Sequence, residues 1–347
     1  MIQLIDADRH NFRKCVQRVE RASGHFYLKP RSIYWEHLFF GNKSPLIPIF
    51  DLVGRNGDKS LASFIFNLEI EQENNWLGYS REVSRAEVSI SPDHFYSFGV
   101  LLGYCYLFGI RDLHKNNVVL RKNHFQVIDA EVVLTDLILP NETLLLPFRE
   151  IPFESSAASL LCSDLKGLDE KQIHSLFSGY FDMATAILDN LEDIMTVFNK
   201  EDLSVHSLRV ILKNTKEYRD FLSGTGKLEN FIPEELTQLD RGDIPYFFKF
   251  AGKDELLYLS APESSEVVST PTEDLKRDIK RHGKPAAQLL GSSPDLIKKI
   301  ATGALYMRRI FSFTDDMEWV DKGGLVSLNG SSLNFRNFLF SANSRPG

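Results

Sequence analysis

The sequence predicts an α+β fold in two lobes, with a small β-rich N-terminal lobe of residues 1–90 and a mainly helical C-terminal lobe of residues 91–347. Short stretches of alternating apolar residues, separated by Gly and Asn turns, occur in the N-terminal part and are typical of strands. Beyond the middle of the chain, apolar residues instead recur at helical spacing. With 347 residues, 43% of them apolar, the chain can bury a large core.

The N-terminal strands begin with a hairpin. Residues Val16 to Lys29 alternate around a turn at Ser23-Gly24, and the second strand runs from His25 to Lys29. Pro30 then removes the chain from regular pairing. We expect further strands at Pro45 to Phe50 and Leu61 to Ile70, with a turn at Asn56-Gly57 between them.

Lys29 therefore lies at a strand end, where a lysine can reach the phosphates of a nucleotide. Glu36, in the apolar segment Ile33 to Phe40, is the candidate ion-pair partner. The alternative is that both are ordinary surface charges, because no glycine-rich phosphate loop is visible and Ser23-Gly24 is a weak substitute for one.

A polar loop follows a long apolar helix in the middle of the chain. The helix is predicted from about His94 to Phe108, and the loop contains Asp112 and Asn117. Asp129 follows the second strand of a short hairpin, so the three polar side chains should converge on one cleft. The two strands of this hairpin are Val118 to Leu120 and Phe125 to Ile128.

These residue types suit a kinase-like phosphotransfer site. Phosphoryl transfer needs a carboxylate at the acceptor hydroxyl and oxygen ligands for the magnesium ion on the nucleotide phosphates. The interval from Asp112 to Asn117 equals that of the protein-kinase catalytic loop, and Asp129 follows an apolar strand as the metal-binding Asp of kinases does. The alternative is a turn rich in Asp and Asn between two strands.

The C-terminal half is predicted to be helical. Glu170 to Phe198 and Leu203 to Leu222 show helical periodicity. Pro and Gly then interrupt Phe231 to Gly252, Ser260 to Thr272 is expected to be a polar linker, and Asp274 to Phe311 is expected to form one or two basic helices.

Composition limits the functional class. A formal charge of -7 argues against broad nucleic-acid binding. The three cysteines, Cys15, Cys105 and Cys162, lack the spacing of a disulfide framework or a zinc site. Neither a signal peptide nor a membrane span is indicated, so the protein is expected to be cytoplasmic.

Five blocks of the sequence resemble the dehydratase domain of class II lanthipeptide synthetases, the LanM enzymes. Lys29 to Ser32 resembles the KPRS block of that family, Gly99 to Asn117 its glycine-apolar helix and DLHxEN loop, and Val127 to Glu131 its LIDLE strand. Leu208 to Tyr218 resembles RxxxRxTxxY, and Arg241 to Phe247 resembles GDIPYF. A further element, Asp8 to Asn11, resembles the DxHN element of the family.

The resemblance implies a lipid-kinase-like fold that phosphorylates Ser and Thr of a precursor peptide with ATP and Mg2+ and then eliminates the phosphate. It implies that phosphorylation depends on Asp112, His114, Asn117 and Asp129, with Asn117 and Asp129 as metal ligands. Lys29, Arg31 and Glu36 would bind the nucleotide. Arg209 and Thr215 would serve the elimination, and Asp8 and His10 would lie near the same cleft.

The elimination chemistry fits these residue types, since a guanidinium clamps phosphate bidentately and a His can transfer protons near neutral pH. Without the resemblance, Arg209 and Thr215 would stand six residues apart on one predicted helix, hence on different faces, and could be structural. His10 alone would be a surface residue.

The chain also departs from the family. Asn116 stands where the family has Glu, Val132 where it often has Thr, and Lys213 where it has a second Arg. The zinc cyclase ligands are not found, so we expect a compact, stand-alone dehydratase whose partners are the precursor peptide and a separate cyclase or partner protein. Leu144 to Ser156 is expected to occupy the activation-loop region. The alternatives are a kinase without elimination, acting on a peptide, a protein or a small molecule, and a non-catalytic kinase-fold module that binds a peptide.

Overall fold

The computed structural model describes residues 2–4, 8–52, 60–148, 152–226, 231–262, 266–269, 279–311, 319–320, 325–328 and 331–334. Helices and small antiparallel sheets are combined in an α+β fold, as the sequence predicts. Across the described ranges, no helix is long and apolar enough to cross a membrane. All three cysteines are free thiols.

The N-terminal part contains a five-stranded antiparallel sheet. The predicted hairpin is confirmed, because β2 and β3 pair in register and place Arg21 opposite Gly24. The last residue of β3, Lys29, lies opposite Gly78 of β5. The strands, in the spatial order β1-β2-β3-β5-β4, are β1 Ile2–Leu4, β2 Gln17–Arg21, β3 Gly24–Lys29, β4 Ile70–Asn74 and β5 Leu77–Arg81.

Three short helices connect β3 to β4: α1 Tyr34–Phe40, α2 Ile47–Phe50 and α3 Ala62–Ile65. The strands expected at Pro45 to Phe50 and Leu61 to Ile70 are therefore wrong, apart from Ile70, which begins β4. Short apolar runs do not distinguish a buried strand from a buried helix, and both Phe50 and Phe64 are buried in the core. The expected turn at Asn56-Gly57 lies outside the described residues.

The core is built on two long helices, α4 Pro92–Leu107 and α5 Glu170–Asp189. Their backbones pack in direct contact, because a Cβ added at Gly99 would lie 1.9 Å from the carbonyl oxygen of Leu176. A Cβ at Gly179 would lie 2.0 Å from the carbonyl oxygen of Tyr96. The predicted helix from His94 is confirmed, and the predicted helical stretch from Glu170 forms α5 and α6 Leu191–Lys200.

The loop after α4 is held by the predicted hairpin, β6 Val118–Leu120 and β7 Phe125–Val127, which pairs Val118 with Val127. The hairpin fixes the C-terminal end of the polar loop, because the Ile128 amide donates to the carbonyl of Asn117 at 2.9 Å.

A second antiparallel sheet lies in the C-terminal half, which the sequence predicts to be mainly helical. The helix expected over Leu203 to Leu222 is wrong in its first part, because Ser207–Val210 is strand β8 and the helix α7 covers Thr215–Leu222. The sheet has the order β11-β10-β9-β8, with β9 Phe247–Phe250, β10 Leu256–Leu259 and β11 Glu266–Ser269.

The remaining elements are helices and one small sheet. The expected linker Ser260 to Thr272 contains β11, and the region expected to form basic helices contains α9 and α10. These elements are α8 Pro233–Asp240, α9 Ala286–Leu290, α10 Ser293–Ile310, β12 Trp319–Val320, β13 Leu325–Leu328 and β14 Ser331–Asn334.

Candidate functional site

The end of β3 and the helix α1 bring Lys29 and Glu36 together. Lys29 Nζ donates to Glu36 Oε1 at 2.7 Å and to the Ile128 carbonyl at 2.6 Å. Lys29 is 4% exposed and Glu36 is fully buried, so neither is an ordinary surface charge. Buried charges require partners, and this pair provides them for each other.

Arg31 connects this pair to Asp129. Its guanidinium donates to both carboxylate oxygens of Glu36, at 2.8 and 3.1 Å, and to Asp129 Oδ1. Lys29 Nζ lies 3.8 Å from the same Asp129 oxygen. Burial raises the pKa of Asp129, but Lys29, Arg31 and Arg209 outweigh it and hold that pKa well below its usual range. The Asp129 side chain is ionised and remains 33% exposed.

The polar loop holds its predicted residues in one turn. Asp112 adopts a left-handed conformation with φ 64°, and its carbonyl accepts a hydrogen bond from Asn117 Nδ2 at 2.7 Å. Burial raises the pKa of Asp112, while His114 and Arg209 oppose that rise. His114 Nδ1 accepts the amide of Asn116 at 3.2 Å.

The region predicted as the activation loop packs against this turn. His114 forms an antiparallel bridge with Ser156, and the Lys115 amide donates to the Ser155 carbonyl at 3.0 Å. On the other side, the Leu113 amide donates to the Thr143 carbonyl at 2.9 Å. The described residues of Leu144 to Ser156 therefore lie beside the polar loop.

Glu131 joins the two arginines of the site. One carboxylate oxygen, Oε2, lies 2.9 Å from Arg31 Nε, and the other pairs with Arg209 Nη1. Arg209 stands on strand β8, not on a helix as predicted, and its amide donates to the Glu131 carbonyl at 3.0 Å. Burial raises the pKa of Glu131, but Arg209 and Arg31 outweigh it and lower that pKa. We refer to Lys29, Arg31, Glu36, Asp129, Glu131 and Arg209 as the ion-pair network.

Tyr246 extends the network toward the N-terminus. Its hydroxyl donates to Glu131 Oε2 at 3.3 Å, and the Arg209 guanidinium lies 5.1 Å from the centre of its ring. The ring of His10 meets the Tyr246 ring edge to face, with centroids 5.5 Å apart. The Tyr246 ring therefore contacts both His10 and Arg209.

His10 is held as a neutral imidazole. Its Nδ1 lies 2.7 Å from the carbonyl oxygen of Ile244, and because a carbonyl can accept but not donate, Nδ1 carries the proton. In the neutral ring, Nε2 is then the nitrogen that can accept. Burial, with help from Arg209, lowers the pKa of His10 to about 4, although the hydrogen bond to Ile244 acts in the opposite direction.

Beyond His10, the chain makes a turn closed by two backbone hydrogen bonds between His10 and Lys14, at 2.8 and 2.9 Å. Its three central residues, Asn11, Phe12 and Arg13, have φ of 47°, 68° and 61°. Left-handed backbone costs an L-residue roughly 1 to 2 kcal/mol, so three in succession require external support.

Asp8 and Thr215 lie outside the ion-pair network. Asp8 Oδ1 accepts from Arg219 at 2.7 and 3.1 Å, on a largely exposed part of α7. Thr215 is the first residue of α7 and, within the described chain, its side chain has no hydrogen-bond partner. Lys213 pairs with the buried Glu235 at 2.7 Å.

Sequence reasoning did not assign roles to Glu131 and Tyr246. Glu131 stands two residues after Asp129, and in extended backbone that spacing directs both side chains to the same side. This signal could have identified it. Tyr246 is distant from the other site residues in sequence, and the pairing of β8 with β9 brings its segment next to Arg209.

Asn117 and Asp129 each carry a side-chain oxygen of the type that Mg2+ accepts as a ligand. The Asn117 amide nitrogen donates to Asp112, which leaves its side-chain oxygen as an acceptor, and Asp129 is ionised. Mg2+ is commonly held by one or two protein oxygens together with phosphates. Among the described residues, no group of three or more His, Cys, Asp or Glu could hold a metal ion by itself.

A family model matches the first part of the chain. Residues 1–166 match a family model described as "Domain of unknown function (DUF4135)". The matched range contains His10, Lys29 and Asp129 but stops before Arg209 and Tyr246. No curated protein matches the chain.

Proposed function

We propose that the protein is a LanM-like dehydratase with a two-lobed, kinase-like arrangement, which phosphorylates Ser and Thr of a precursor peptide and then eliminates the phosphate. The domain that matches residues 1–166 is associated with the lanthipeptide synthetase family, which supports this proposal. The described helices and antiparallel sheets are compatible with the lobes of a kinase.

In the phosphorylation half, Mg-ATP would supply the phosphoryl group. Lys29 would bind the nucleotide phosphates while Glu36 keeps its ammonium oriented, and Arg31 would steady the three carboxylates that it contacts. Asn117 and Asp129 would hold the metal through oxygen atoms. Asp112, whose pKa is raised by burial, would accept the proton of the substrate hydroxyl.

In the elimination half, a general base would accept the α-proton, the electron pair of the Cα–H bond would form the Cα=Cβ bond, and the Cβ–O bond would break with its electrons on the departing phosphate. Arg209 is suited to bind that phosphate, because its planar guanidinium offers paired donors and keeps its charge. His10 offers a neutral ring nitrogen near Arg209.

The observation that carries the proposal is the continuity of the ion-pair network. Glu131 places Arg209 on the same cluster that holds Lys29 and Asp129, although strand β8 is distant in sequence. A phosphate formed at the first set of residues would therefore lie near the arginine that the second half-reaction needs.

A kinase that leaves the phosphate in place is the second candidate. Thr215, which the family resemblance links to elimination, has no hydrogen-bond partner in the described chain, and Lys213 replaces an arginine. The replacement at Lys213, whose ammonium is engaged with Glu235, favours loss of the elimination step. A non-catalytic peptide-binding module would not need Lys29, Asp112, Asn117 and Asp129 together.

Intact mass spectrometry distinguishes these functions. A Ser- and Thr-rich peptide, ideally one encoded beside this gene, is incubated with the protein, ATP and magnesium. Loss of water supports the dehydratase, gain of phosphate alone supports the kinase, and an unchanged peptide with bound ATP indicates a binding module or a different substrate. The variant Asp129→Asn tests the proposed role of Asp129. We expect at least about 100-fold slower phosphorylation, because a metal ligand is weakened.

A further inference from the structure

Asp243 is a fully buried carboxylate that lies next to the turn after His10. Its Oδ2 accepts the amide of Phe12 at 2.8 Å, and its Oδ1 accepts the amide of Arg13 at 2.7 Å. Both amides belong to the left-handed part of the turn, which leaves them without partners inside the turn itself. The carboxylate therefore supplies the external support that this backbone requires.

The segment that carries Asp243 also contacts His10 directly. The Ile244 carbonyl accepts from His10 Nδ1, and the Tyr246 ring packs against the imidazole. The Ile244 amide donates to the Arg9 carbonyl at 2.8 Å. Within residues 243–246, Asp243 therefore holds the turn, while Ile244 and Tyr246 contact the His10 imidazole.

Arg241 secures the carboxylate. Its Nε donates to Asp243 Oδ2 at 2.6 Å, and its guanidinium lies 4.0 Å from the centre of the Phe12 ring. Arg13 Nε donates back to the Arg241 carbonyl at 3.2 Å. The turn after His10 and the segment from Arg241 to Tyr246 are therefore joined by contacts in both directions.

We infer that Asp243 is a positioning residue for phosphate elimination: it fixes the left-handed turn Asn11 to Arg13 and thereby holds the His10 imidazole beside Arg209. This inference rests on the proposed function, because it assigns Asp243 to the elimination half alone. Asp243 makes no described contact with Lys29, Asp112, Asn117 or Asp129, so the phosphorylation half does not depend on it directly.

The test separates the two half-reactions. A synthetic phosphoserine peptide reports elimination without prior phosphorylation, and the unphosphorylated peptide with Mg-ATP reports phosphoryl transfer. We expect Asp243→Asn to lower kcat for elimination at least about tenfold, with little change in KM or in phosphoryl transfer. Asp240→Asn, which removes the same charge from an exposed position at the end of α8, is the matched control and should behave as the wild type.

Two further measurements test whether Asp243 acts by positioning His10. Because the turn acts through His10, the double variant Asp243→Asn/His10→Ala should be no slower in elimination than His10→Ala alone. In an NMR titration, the His10 imidazole should titrate closer to 6.5 in Asp243→Asn than in the wild type, since a loosened ring gains water. The charged and polar groups around this ring are Asp8, Glu131, Arg209 and Tyr246.

Arg241→Gln is the second variant if Asp243→Asn does not fold. It should also lower kcat for elimination, but by a smaller factor. Equal losses of both half-reactions, or additive effects of Asp243 and His10, would overturn the inference. Unimpaired elimination in both variants would overturn it as well. If the wild type fails to act on the phosphoserine peptide, the elimination half of the proposed function fails, and the inference fails with it.

Discussion

Glu131 holds Arg209 at two points: its carboxylate pairs with the Arg209 guanidinium, and its main-chain carbonyl accepts the Arg209 amide at 3.0 Å. One contact fixes the strand and the other fixes the end of the side chain. The guanidinium is therefore oriented in advance, which would reduce the entropy lost if it binds a phosphate as proposed.

Replacement of Arg209 should separate the two half-reactions. In Arg209→Ala, we expect phosphorylated peptide to accumulate while elimination slows by about 100-fold, because a charged donor to the leaving phosphate is lost. Intact mass spectrometry over time measures both species. Arg209→Lys should be intermediate, since it keeps the charge but loses the bidentate geometry.

Arg81→Ala is the matched control, because Arg81 is a partly exposed arginine paired with Glu69 away from the network. It should follow the wild-type time course. Equal slowing of phosphorylation and elimination in Arg209→Ala would contradict the division of roles.

Neutralising Glu36 should destabilise the protein. Glu36→Gln leaves Lys29 and Arg31 with one fewer buried counter-charge, and breaking a buried ion pair typically costs about 3 to 5 kcal/mol. Urea unfolding measures the change. Glu69→Gln breaks the largely exposed pair with Arg81 and should cost less than about 1 kcal/mol. Similar losses in the two variants would mean that the buried network adds little stability.

The contact between α4 and α5 should not tolerate a methyl group. In Gly99→Ala, the new Cβ would lie 1.9 Å from a backbone oxygen, so the helices must separate, and we expect a loss of about 1 to 3 kcal/mol in the free energy of unfolding. Gly167→Ala is the control, because nothing lies within 4 Å of its added Cβ. It should change stability by less than about 0.5 kcal/mol. Unchanged stability in Gly99→Ala would refute the close approach.

Stability should fall in mild acid because of His282. Burial, followed by Arg111, Lys249 and Arg281, lowers the pKa of His282 from 6.5 to about 3. Between those values the unfolded chain binds a proton that the folded protein does not, so the contribution of His282 is complete above pH 6.5 and is lost as the pH falls toward 3.

Urea unfolding at pH 7.5 and pH 5.0 measures this contribution. The difference in unfolding free energy between the two pH values should be smaller in His282→Gln than in the wild type. An identical difference in the two proteins would show that His282 does not contribute to the acid sensitivity.

The long helices and the first hairpin could be predicted because their signals are local. Both α4 and the hairpin β2–β3 follow from apolar spacing and a turn within a single stretch of sequence. The Lys29 and Glu36 pair was also predictable as a candidate, since β3 and α1 are close in the chain. In contrast, β8 is four residues long and acquires its partner β9 only from distant sequence.

The candidate site was predictable as a set of residue types but not as a connected network. Nothing in the spacing of Arg209 indicates that it pairs with Glu131, because that contact joins β8 to the segment after β7. The role of Asp243 depends equally on a distant contact, with a turn whose left-handed residues are not glycines. Such backbone conformations are stabilised by tertiary contacts and leave little trace in local composition.

The charges of the ion-pair network are divided between the two halves of the chain. Up to residue 166 it contains two cations, Lys29 and Arg31, and three carboxylates, Glu36, Asp129 and Glu131. Arg209 is the third cation, and it makes the network electrically neutral. The C-terminal half thus completes the electrostatics of the N-terminal half, and a fragment that ended before β8 would retain every predicted nucleotide-binding residue around an uncompensated negative charge.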